Sequence, residues 1–154
     1  MAEAFASTVF PVSPDTAWAL LREFNALPSW HPAIKASRLE PPEAAHTGVI
    51  RHLTLADGAT VSERLVSVDD AARATSYEFT DSPFPVRRYT ATIRVVPVTD
   101  TGSSFVSWRA VFDCDGADEA DLARFFATDV FAAGLSALHQ HLVSAPQPTG
   151  AQQR

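Results

Sequence analysis

The sequence predicts an α+β fold in which a strongly curved, seven-stranded antiparallel sheet wraps around one long C-terminal helix. Between Lys35 and Cys114, apolar and polar residues alternate in six segments that short turns separate, which is typical of an antiparallel meander. From Asp118 to Ser144, apolar residues instead recur at helical spacing. A curved sheet cannot contact its helix everywhere, so we expect a cavity between the two.

One strand and two short helices are expected before the meander. Residues 3–12, EAFASTVFPV, carry β-branched residues late in the run, which is typical of a strand. A helix should begin after Ser13, because Ser13 is a favourable N-cap and Pro14 suits the first helical position. Asp15 adds a negative charge to the first turn. Pro28 interrupts this helix, so LPSWHPAI holds at most a second short helical turn.

The six later strands are expected at residues 35–40, 49–55, 59–69, 74–81, 86–98 and 103–114. The segments between them are PPEAAHTG, ADG, DDAAR, DSPFP and TDTGS. These segments are rich in Gly, Pro and Asp, which favour tight reversals of the chain. Short reversals between consecutive strands predict that neighbours along the chain pair in an antiparallel manner.

The last element, DEADLARFFATDVFAAGLSALHQHLV, is expected to be one long helix with acidic residues in its first turn. Its residues form a broad apolar arc, as in a helix that packs on a core. The arc consists of Phe126, Ala127, Val130, Phe131, Gly134, Leu135, Leu138 and Leu142. Gly134 lies near the middle of the arc, where a side chain would block close approach.

The composition indicates a single domain over residues 1–144, followed by a polar tail at 145–154 that we expect to be disordered. The sequence has no run of about 18 apolar residues that could span a membrane, and no secretory signal. Cys114 is the only cysteine, which suits the reducing cytoplasm. A net charge of -6 argues against nucleic acid as a partner. We expect a cytoplasmic monomer or homodimer that binds a small molecule.

Alternation along the strands predicts which side chains face the cavity. The inward set is mostly apolar and includes Val49, Leu53, Leu55, Val61, Leu65, Phe79, Ala91, Ile93, Val95, Trp108, Ala110 and Phe112. Polar side chains interrupt this lining at Arg51, Glu63, Tyr77 and Tyr89, and Arg87 is expected inward near the start of its strand. A mostly apolar wall with a few converging polar groups is typical of a ligand pocket.

The meander also predicts that three segments share one end of the sheet. Successive turns alternate between the two ends, so SWHPAI, ADG and DSPFPV should surround a single rim. Phe84, between two prolines, would form a stiff apolar lip there. Trp30 either packs in the core or lines this rim. His31 either caps a corner of the chain or takes part in chemistry at the rim.

Two residues are candidates for proton transfer. The imidazole of His31 titrates near neutral pH, which suits a general acid or base. Glu63 is costly to ionise in an apolar cavity unless a cation is near, and Arg51 on the neighbouring strand can supply one. The two residues form either a catalytic site with a raised pKa or a buried ion pair without chemistry. Tyr77 and Tyr89 either donate hydrogen bonds to an enolate oxygen or serve as aromatic walls.

Several phrases carry a family resemblance over nearly the whole chain, about residues 3–144: FNALPSWHPAI, GVIRHLTLADG, VSERLVSVDDAARATSYEF, FPVRRYTATIRVVPV, SFVSWRAVF and AAGLSALHQHL. They resemble the START/Bet v1-like (SRPBCC) superfamily, and in particular its bacterial polyketide cyclase/dehydrase-like branch. The resemblance implies a helix-grip fold whose cavity opens at the rim described above. It implies a range of functions, because members include aromatase/cyclases, other lyases, and binders of lipids, hormones or ubiquinone. No universal catalytic motif carries over.

The lining and the resemblance together predict a protein that binds an apolar, carbonyl-bearing small molecule, polyketide-like or aromatic. The reaction expected is a cofactor-independent cyclisation, dehydration or related lyase or isomerase step, with no metal. The alternative is a non-catalytic carrier of a lipid, quinone or other hydrophobic ligand. The candidate catalytic residues are His31, Glu63, Tyr77, Tyr89 and Arg51. The candidate ligand-binding residues are Trp30, Leu53, Leu65, Phe79, Phe84, Arg87, Trp108, Phe112, Phe126, Val130 and Gly134.

Overall fold

The computed structural model describes residues 1–42 and 46–144, so the tail expected at 145–154 lies outside the described residues. Within them, seven strands form one antiparallel sheet in the order β1-β7-β6-β5-β4-β3-β2. The predicted fold class is confirmed, and each strand begins and ends within two residues of its expected position. The strands are β1 (Ala2–Phe10), β2 (Ile34–Glu40), β3 (Ile50–Leu55), β4 (Thr60–Asp69), β5 (Ala74–Asp81), β6 (Val86–Val98) and β7 (Ser103–Cys114).

Helix α1 (Pro14–Leu21) begins where the capping residues predict. The Oγ of Ser13 accepts a hydrogen bond from the backbone N–H of Thr16 at 3.2 Å, which satisfies a donor that a helix start leaves free. A single 3-10 turn, Leu27–Ser29, is the second short helical element. This turn leads into the corner at His31, shortly before β2 begins at Ile34.

The C-terminal helix spans 29 residues and consists of α2 (Gly116–Arg124), a π-helix (Phe125–Ala132) and α3 (Ala133–Ser144). It begins two residues earlier than expected, after Asp115 as the N-cap. The π-helix is not predicted, because its i→i+5 hydrogen bonds leave no simple signature in apolar spacing. Most of the predicted apolar arc is buried, namely Phe126, Phe131, Gly134, Leu135, Leu138 and Leu142.

The helix packs against the inner face of the sheet, and strand alternation predicts that face well. The inward residues that are buried include Val49, Arg51, Leu53, Val61, Glu63, Leu65, Tyr77, Tyr89, Ala91, Ile93, Val95, Trp108, Ala110 and Phe112. Leu55 and Phe79 are half-buried. In the ranges 1–42 and 46–144, no helix combines the length and apolarity needed to cross a membrane.

Arg87 is the exception to the alternation, and the prediction that it faces inward is wrong. Its side chain is 57% exposed. Its Nε donates to Asp113 at 3.1 Å and its Nη1 to Asp115 at 2.7 Å. The pairing of β6 with β7 shifts register between Val86 and Arg88. The regular alternation of inward and outward side chains is interrupted at this irregularity, so the side chain of Arg87 points outward.

Candidate functional site

A cavity of about 280 Å³ lies between the inner face of the sheet and the C-terminal helix. Strands β3 to β7 supply its wall, and the π-helix closes it on the other side. An apolar cavity of about 150 Å³ is large enough for benzene, so this one suits a molecule of one or two rings. The candidate residues that line it are His31, Leu53, Glu63, Tyr77, Phe79, Phe84, Tyr89, Trp108, Phe126 and Val130.

Residues from the three rim segments line this one cavity, as the meander topology predicts. Ala33 and Ile34 come from SWHPAI, Ala56 and Asp57 from ADG, and Phe84 from DSPFPV. Phe84 is half-buried between two prolines. Three chain segments that are distant in sequence therefore meet at one end of the cavity.

The polar centre of the cavity is an ion pair across two strands. Arg51 on β3 lies directly opposite Glu63 on β4. The Nε and Nη2 atoms of Arg51 lie 2.7 Å and 2.6 Å from the same carboxylate oxygen, Oε1 of Glu63. Both side chains are about 95% buried. Two N–H donors on one oxygen favour the ionised carboxylate, because they bind the charged form more strongly than the neutral acid.

The guanidinium of Arg51 is covered on the sides that Glu63 leaves open. Its Nη1 donates to the backbone carbonyl of Phe24 at 2.7 Å. Its Cζ lies 4.0 Å from the ring centroid of Phe24 and 4.8 Å from that of Tyr77, both cation–π distances. Arg51 is not among the residues that line the cavity. This candidate catalytic residue therefore contacts Glu63 and does not itself reach the cavity.

The second carboxylate oxygen of Glu63, Oε2, has no hydrogen-bond partner among the described residues. Every fully buried polar side-chain atom in those residues has a partner, so Oε2 is not fully buried. The free oxygen is therefore accessible from the cavity that Glu63 lines. Burial raises the pKa of Glu63 above its ordinary value, and the charge and hydrogen bonds of Arg51 oppose that rise. A carboxylate with a raised pKa in an apolar pocket suits proton transfer.

Two tyrosines, Tyr77 and Tyr89, line the same cavity as this carboxylate. The indole Nε1 of Trp108 donates to the hydroxyl of Tyr77 at 3.0 Å, which leaves the proton of Tyr77 available for another acceptor. The ring of Tyr89 stacks on Phe79 with a centroid distance of 3.7 Å. Burial raises the pKa of both tyrosines, and the negative charge of Glu63 adds to this effect. Both hydroxyls therefore stay protonated.

His31 lies in the cavity wall and is only 2% exposed. Its Nδ1 accepts from the backbone N–H of Ala33 at 3.1 Å. The proton is consequently on Nε2, which donates to the carbonyl of Val130 at 2.8 Å. Burial lowers the pKa of His31, so the neutral form is favoured. With both ring nitrogens bonded to backbone, the imidazole ties the rim segment to the π-helix.

Gly134 makes room for this imidazole. A Cβ at Gly134 would lie 2.6 Å from Cδ2 and 2.7 Å from Nε2 of His31, and 3.0 Å from Cζ3 of Trp108. Such contacts are too close for carbon atoms in van der Waals contact. Gly134 therefore supports the wall from behind and is not itself among the lining residues.

The π-helix places two pairs of adjacent residues in the cavity wall: Phe125 with Phe126, and Asp129 with Val130. The i→i+5 hydrogen bonds widen the turn, so a broader strip of this helix faces the sheet. The aromatic pair packs on Phe84, with centroid distances of 5.3 Å and 5.4 Å. The local helix type thus shapes one side of the cavity.

Three further ligand-binding candidates do not line the cavity. Trp30 is 8% exposed and packs against His31 and Trp108, so the packing alternative is correct for it. Phe112 packs edge-on against Phe126, whose ring stands between it and the cavity. Leu65 is buried with Val49 in a separate apolar cluster. These residues face the core as predicted, but the cavity occupies only one end of that core.

Sequence reasoning missed several lining residues. Leu27 belongs to the 3-10 turn, and Asp129 and Phe125 to the π-helix. The ADG turn was placed at the rim, but its Asp57 was not singled out. The signal that could have found Phe125 and Asp129 is that each is adjacent to a predicted lining residue, Phe126 or Val130. Ordinary α-helical spacing places adjacent residues on different faces, so it does not predict that both residues of a pair line the cavity.

Comparison with known proteins agrees with this architecture. Residues 1–143 match the family described as polyketide cyclase / dehydrase and lipid transport. The protein XoxI from Bacillus cereus is 33% identical with a TM-score of 0.83, covering 94% of this chain and 97% of its own. A Thermobifida fusca protein solved by NMR is 33% identical with a TM-score of 0.81, covering 92% and 93%.

A more distant structure shares the fold alone. The major latex-like protein 151 of Panax ginseng is 15% identical with a TM-score of 0.75, and the match covers 90% of this chain and 95% of that one. Because the family match extends over almost the whole chain, this protein belongs to the polyketide cyclase / dehydrase and lipid transport family.

Proposed function

We propose that this member of the polyketide cyclase / dehydrase and lipid transport family binds an apolar, carbonyl-bearing small molecule and moves a proton on it with Glu63. The observation that carries the proposal is the free Oε2 of Glu63 in an apolar cavity, with Oε1 held by Arg51. A fixed carboxylate with one open oxygen is a suitable general base. Family membership supports the binding of a hydrophobic ligand.

The tyrosine hydroxyls supply the second part of the chemistry. When a proton leaves the carbon next to a carbonyl, negative charge develops on the carbonyl oxygen, and a positioned donor stabilises it. Tyr77 and Tyr89 line the same cavity as Glu63. The hydrogen bond from Trp108 to Tyr77 polarises that hydroxyl and makes it the better donor of the two.

The step balances without a cofactor. Oε2 of Glu63 takes the proton, the C–H electron pair becomes the C=C bond of an enolate, and the carbonyl π pair moves to oxygen. In an aldol-type cyclisation the enolate carbon attacks a second carbonyl of the same molecule, whose oxygen recovers the proton from Glu63. Loss of water from that product would complete a dehydration. Holding both ends of one molecule in a small cavity favours this intramolecular reaction.

His31 has a positioning role in this proposal. Its two ring nitrogens bond the backbone of Ala33 and Val130, and a proton transfer through either nitrogen would break one of these bonds. Arg51 likewise acts indirectly, because it orients Glu63 and lowers the cost of its charge. The candidate for general base is therefore Glu63 alone, and Tyr77 and Tyr89 are the candidate donors.

Proton exchange on a simple ketone tests the proposal without knowledge of the natural substrate. We would incubate the protein with 4-phenylbutan-2-one in D2O and follow the loss of its α-proton signals by NMR. We expect exchange faster than in buffer, falling as the pH is lowered because only ionised Glu63 accepts a proton. Glu63→Gln should reduce the enzyme-dependent rate by at least about a hundredfold, since general-base catalysis is of that order.

Glu78→Gln is the matched control. Glu78 also pairs with an arginine, Arg64, but both side chains are substantially exposed. Its exchange rate should equal that of the unmodified protein. Binding of the ketone with no exchange above buffer would contradict catalysis and favour the non-catalytic carrier. That alternative is supported by the predominantly apolar lining and by the lipid transport in the family description.

A further inference from the structure

The charged side chains that line the cavity, among the residues the structure describes, are all acidic. Glu63 stands in the wall, and Asp57 and Asp129 lie at exposed positions in the ADG turn and the π-helix. The acceptor oxygen Oε2 of Glu63 has no partner among the described residues although the residue is 95% buried. A ligand in this cavity therefore meets negative charge at its wall and around its exposed edge.

The basic side chains nearby offer a ligand no direct contact, although the charge of Arg51 partly offsets that of Glu63. Arg51 is enclosed by Glu63, the carbonyl of Phe24 and two aromatic rings. Lys35 and Arg124, each adjacent in sequence to a lining residue, are exposed and do not line the cavity. Arg124 already donates to Asp121 at 2.8 Å. An anionic group would thus enter without a cation to receive it.

We infer that this cavity selects uncharged ligands and excludes anions such as carboxylates and phosphates of the same shape. The inference rests on the proposed function, because it concerns the ligand of the same cavity. A carboxylate next to Oε2 of Glu63 would bring two negative charges together in an apolar site, where Coulomb repulsion is only weakly screened. A ketone or amide carries no such penalty, and its carbonyl oxygen can accept from Tyr77 or Tyr89.

The size of the cavity narrows the expected class of ligand further. At about 280 Å³ it has room for one or two rings with a short side chain. A free fatty acid or an acyl group on a phosphate-bearing carrier would conflict with the charge of the lining. The class of ligand is accordingly a compact, neutral, aromatic or cyclic carbonyl compound.

Three probes of matched shape test the inference: 4-phenylbutan-2-one, 3-phenylpropanamide and 3-phenylpropanoate. They share one skeleton and differ in the group on the carbonyl carbon, which is methyl, amino or a charged oxygen. We would measure Kd for each by NMR titration at neutral pH. The carboxylate should bind at least about tenfold more weakly than the amide, which corresponds to about 1.4 kcal/mol.

Variants identify the source of the discrimination. The double variant Asp57→Asn/Asp129→Asn should strengthen binding of the carboxylate several-fold and leave the amide within about twofold. Its matched control is Asp69→Asn/Asp100→Asn, which removes two exposed carboxylates, at the last residue of β4 and in the turn after β6, at the opposite end of the sheet. Glu63→Gln keeps an oxygen for Arg51 and replaces Oε2 by an N–H donor, so it should reduce the carboxylate penalty most.

The outcomes separate the two proposals. If the ketone and the carboxylate bind with equal Kd, selection against anions is wrong while the ligand-binding function stands. If selection persists unchanged in both Asp57→Asn/Asp129→Asn and Glu63→Gln, the charges named here are not its cause, and the inference is also wrong. If none of the three probes binds, the proposed function itself is contradicted together with the inference.

Discussion

Arg51 and Glu63 form a buried ion pair across neighbouring strands, with the Nε of Arg51 2.7 Å from Oε1 of Glu63. The pair links the interior of the sheet to the cavity, because Arg51 is held from behind by Phe24 and Glu63 presents Oε2 to the cavity. Charges buried in this way cost several kcal/mol each to desolvate and are stable only together. The pair thus stabilises the sheet and also places a carboxylate in the cavity wall.

Removing one partner of this pair should be far more costly than removing a surface partner. Arg51→Met leaves the Glu63 carboxylate buried without its cation, and we expect a loss of about 3–5 kcal/mol in the free energy of unfolding. Arg64→Met breaks the exposed pair with Glu78 and should cost less than about 1 kcal/mol. Urea denaturation measures both. Equal losses in the two variants would show that the buried pair contributes no more to the free energy of unfolding than the exposed pair does.

Gly134 should resist even the smallest side chain. Alanine normally stabilises a helix interior by about 1 kcal/mol relative to glycine. At this position its Cβ would overlap His31, with Cδ2 only 2.6 Å away, so we expect Gly134→Ala to destabilise the protein by about 1–3 kcal/mol. Gly116→Ala is the control, since a Cβ there meets nothing within 4 Å. A stabilised Gly134→Ala protein would contradict the contact between His31 and the helix.

The buried imidazole of His31 should make stability depend on pH. Burial lowers its pKa from the ordinary 6.5, the charge of Arg51 lowers it further, and the hydrogen bond to Val130 partly opposes both. The folded protein therefore binds this proton less tightly than the unfolded chain does. The resulting stabilisation is present above pH 6.5 and is lost as the pH falls below it towards the folded pKa.

Glu63 titrates in the opposite sense, because its raised pKa reduces stability as the pH rises above 4.5. The two effects are separated by comparing the protein with His31→Gln at each pH. The difference in the free energy of unfolding between them should shrink as the pH is lowered from about 7 to about 5. A difference that stays constant over this range would place the titration elsewhere.

The regular parts of the fold follow from local patterns. Alternation identified the inner face because β-strand side chains point to opposite faces in turn, and Ser13 with Pro14 marked the helix start because capping is a local interaction. Arg87 shows the limit of this reasoning. The irregularity between Val86 and Arg88 depends on the pairing of two strands, which no single strand encodes.

The sequence predicted which side chains of the candidate site face inward, but not which of them border the cavity. Topology brought His31, Asp57 and Phe84 to one end of the sheet, and alternation turned Glu63, Tyr77 and Tyr89 inward. Whether an inward side chain borders the cavity or lies behind its wall depends on tertiary packing. Trp30 and Phe112 pack in the main core away from the cavity, and Leu65 packs in a separate cluster with Val49. The π-helix and its Asp129 depend on a backbone hydrogen-bond pattern that apolar spacing does not reveal.

Intermolecular NOEs test the central claim most directly, that a small neutral carbonyl compound binds in this cavity beside Glu63. We would record them between 4-phenylbutan-2-one and the methyl groups of Leu53 and Val61, which line the cavity. We expect NOEs from the phenyl ring to these methyls, and loss of those to Leu53 in Val61→Phe, whose larger side chain occupies the space. NOEs confined to the exposed methyls of Val66 or Val96, or NOEs to Leu53 that are unchanged in Val61→Phe, would contradict binding in the cavity.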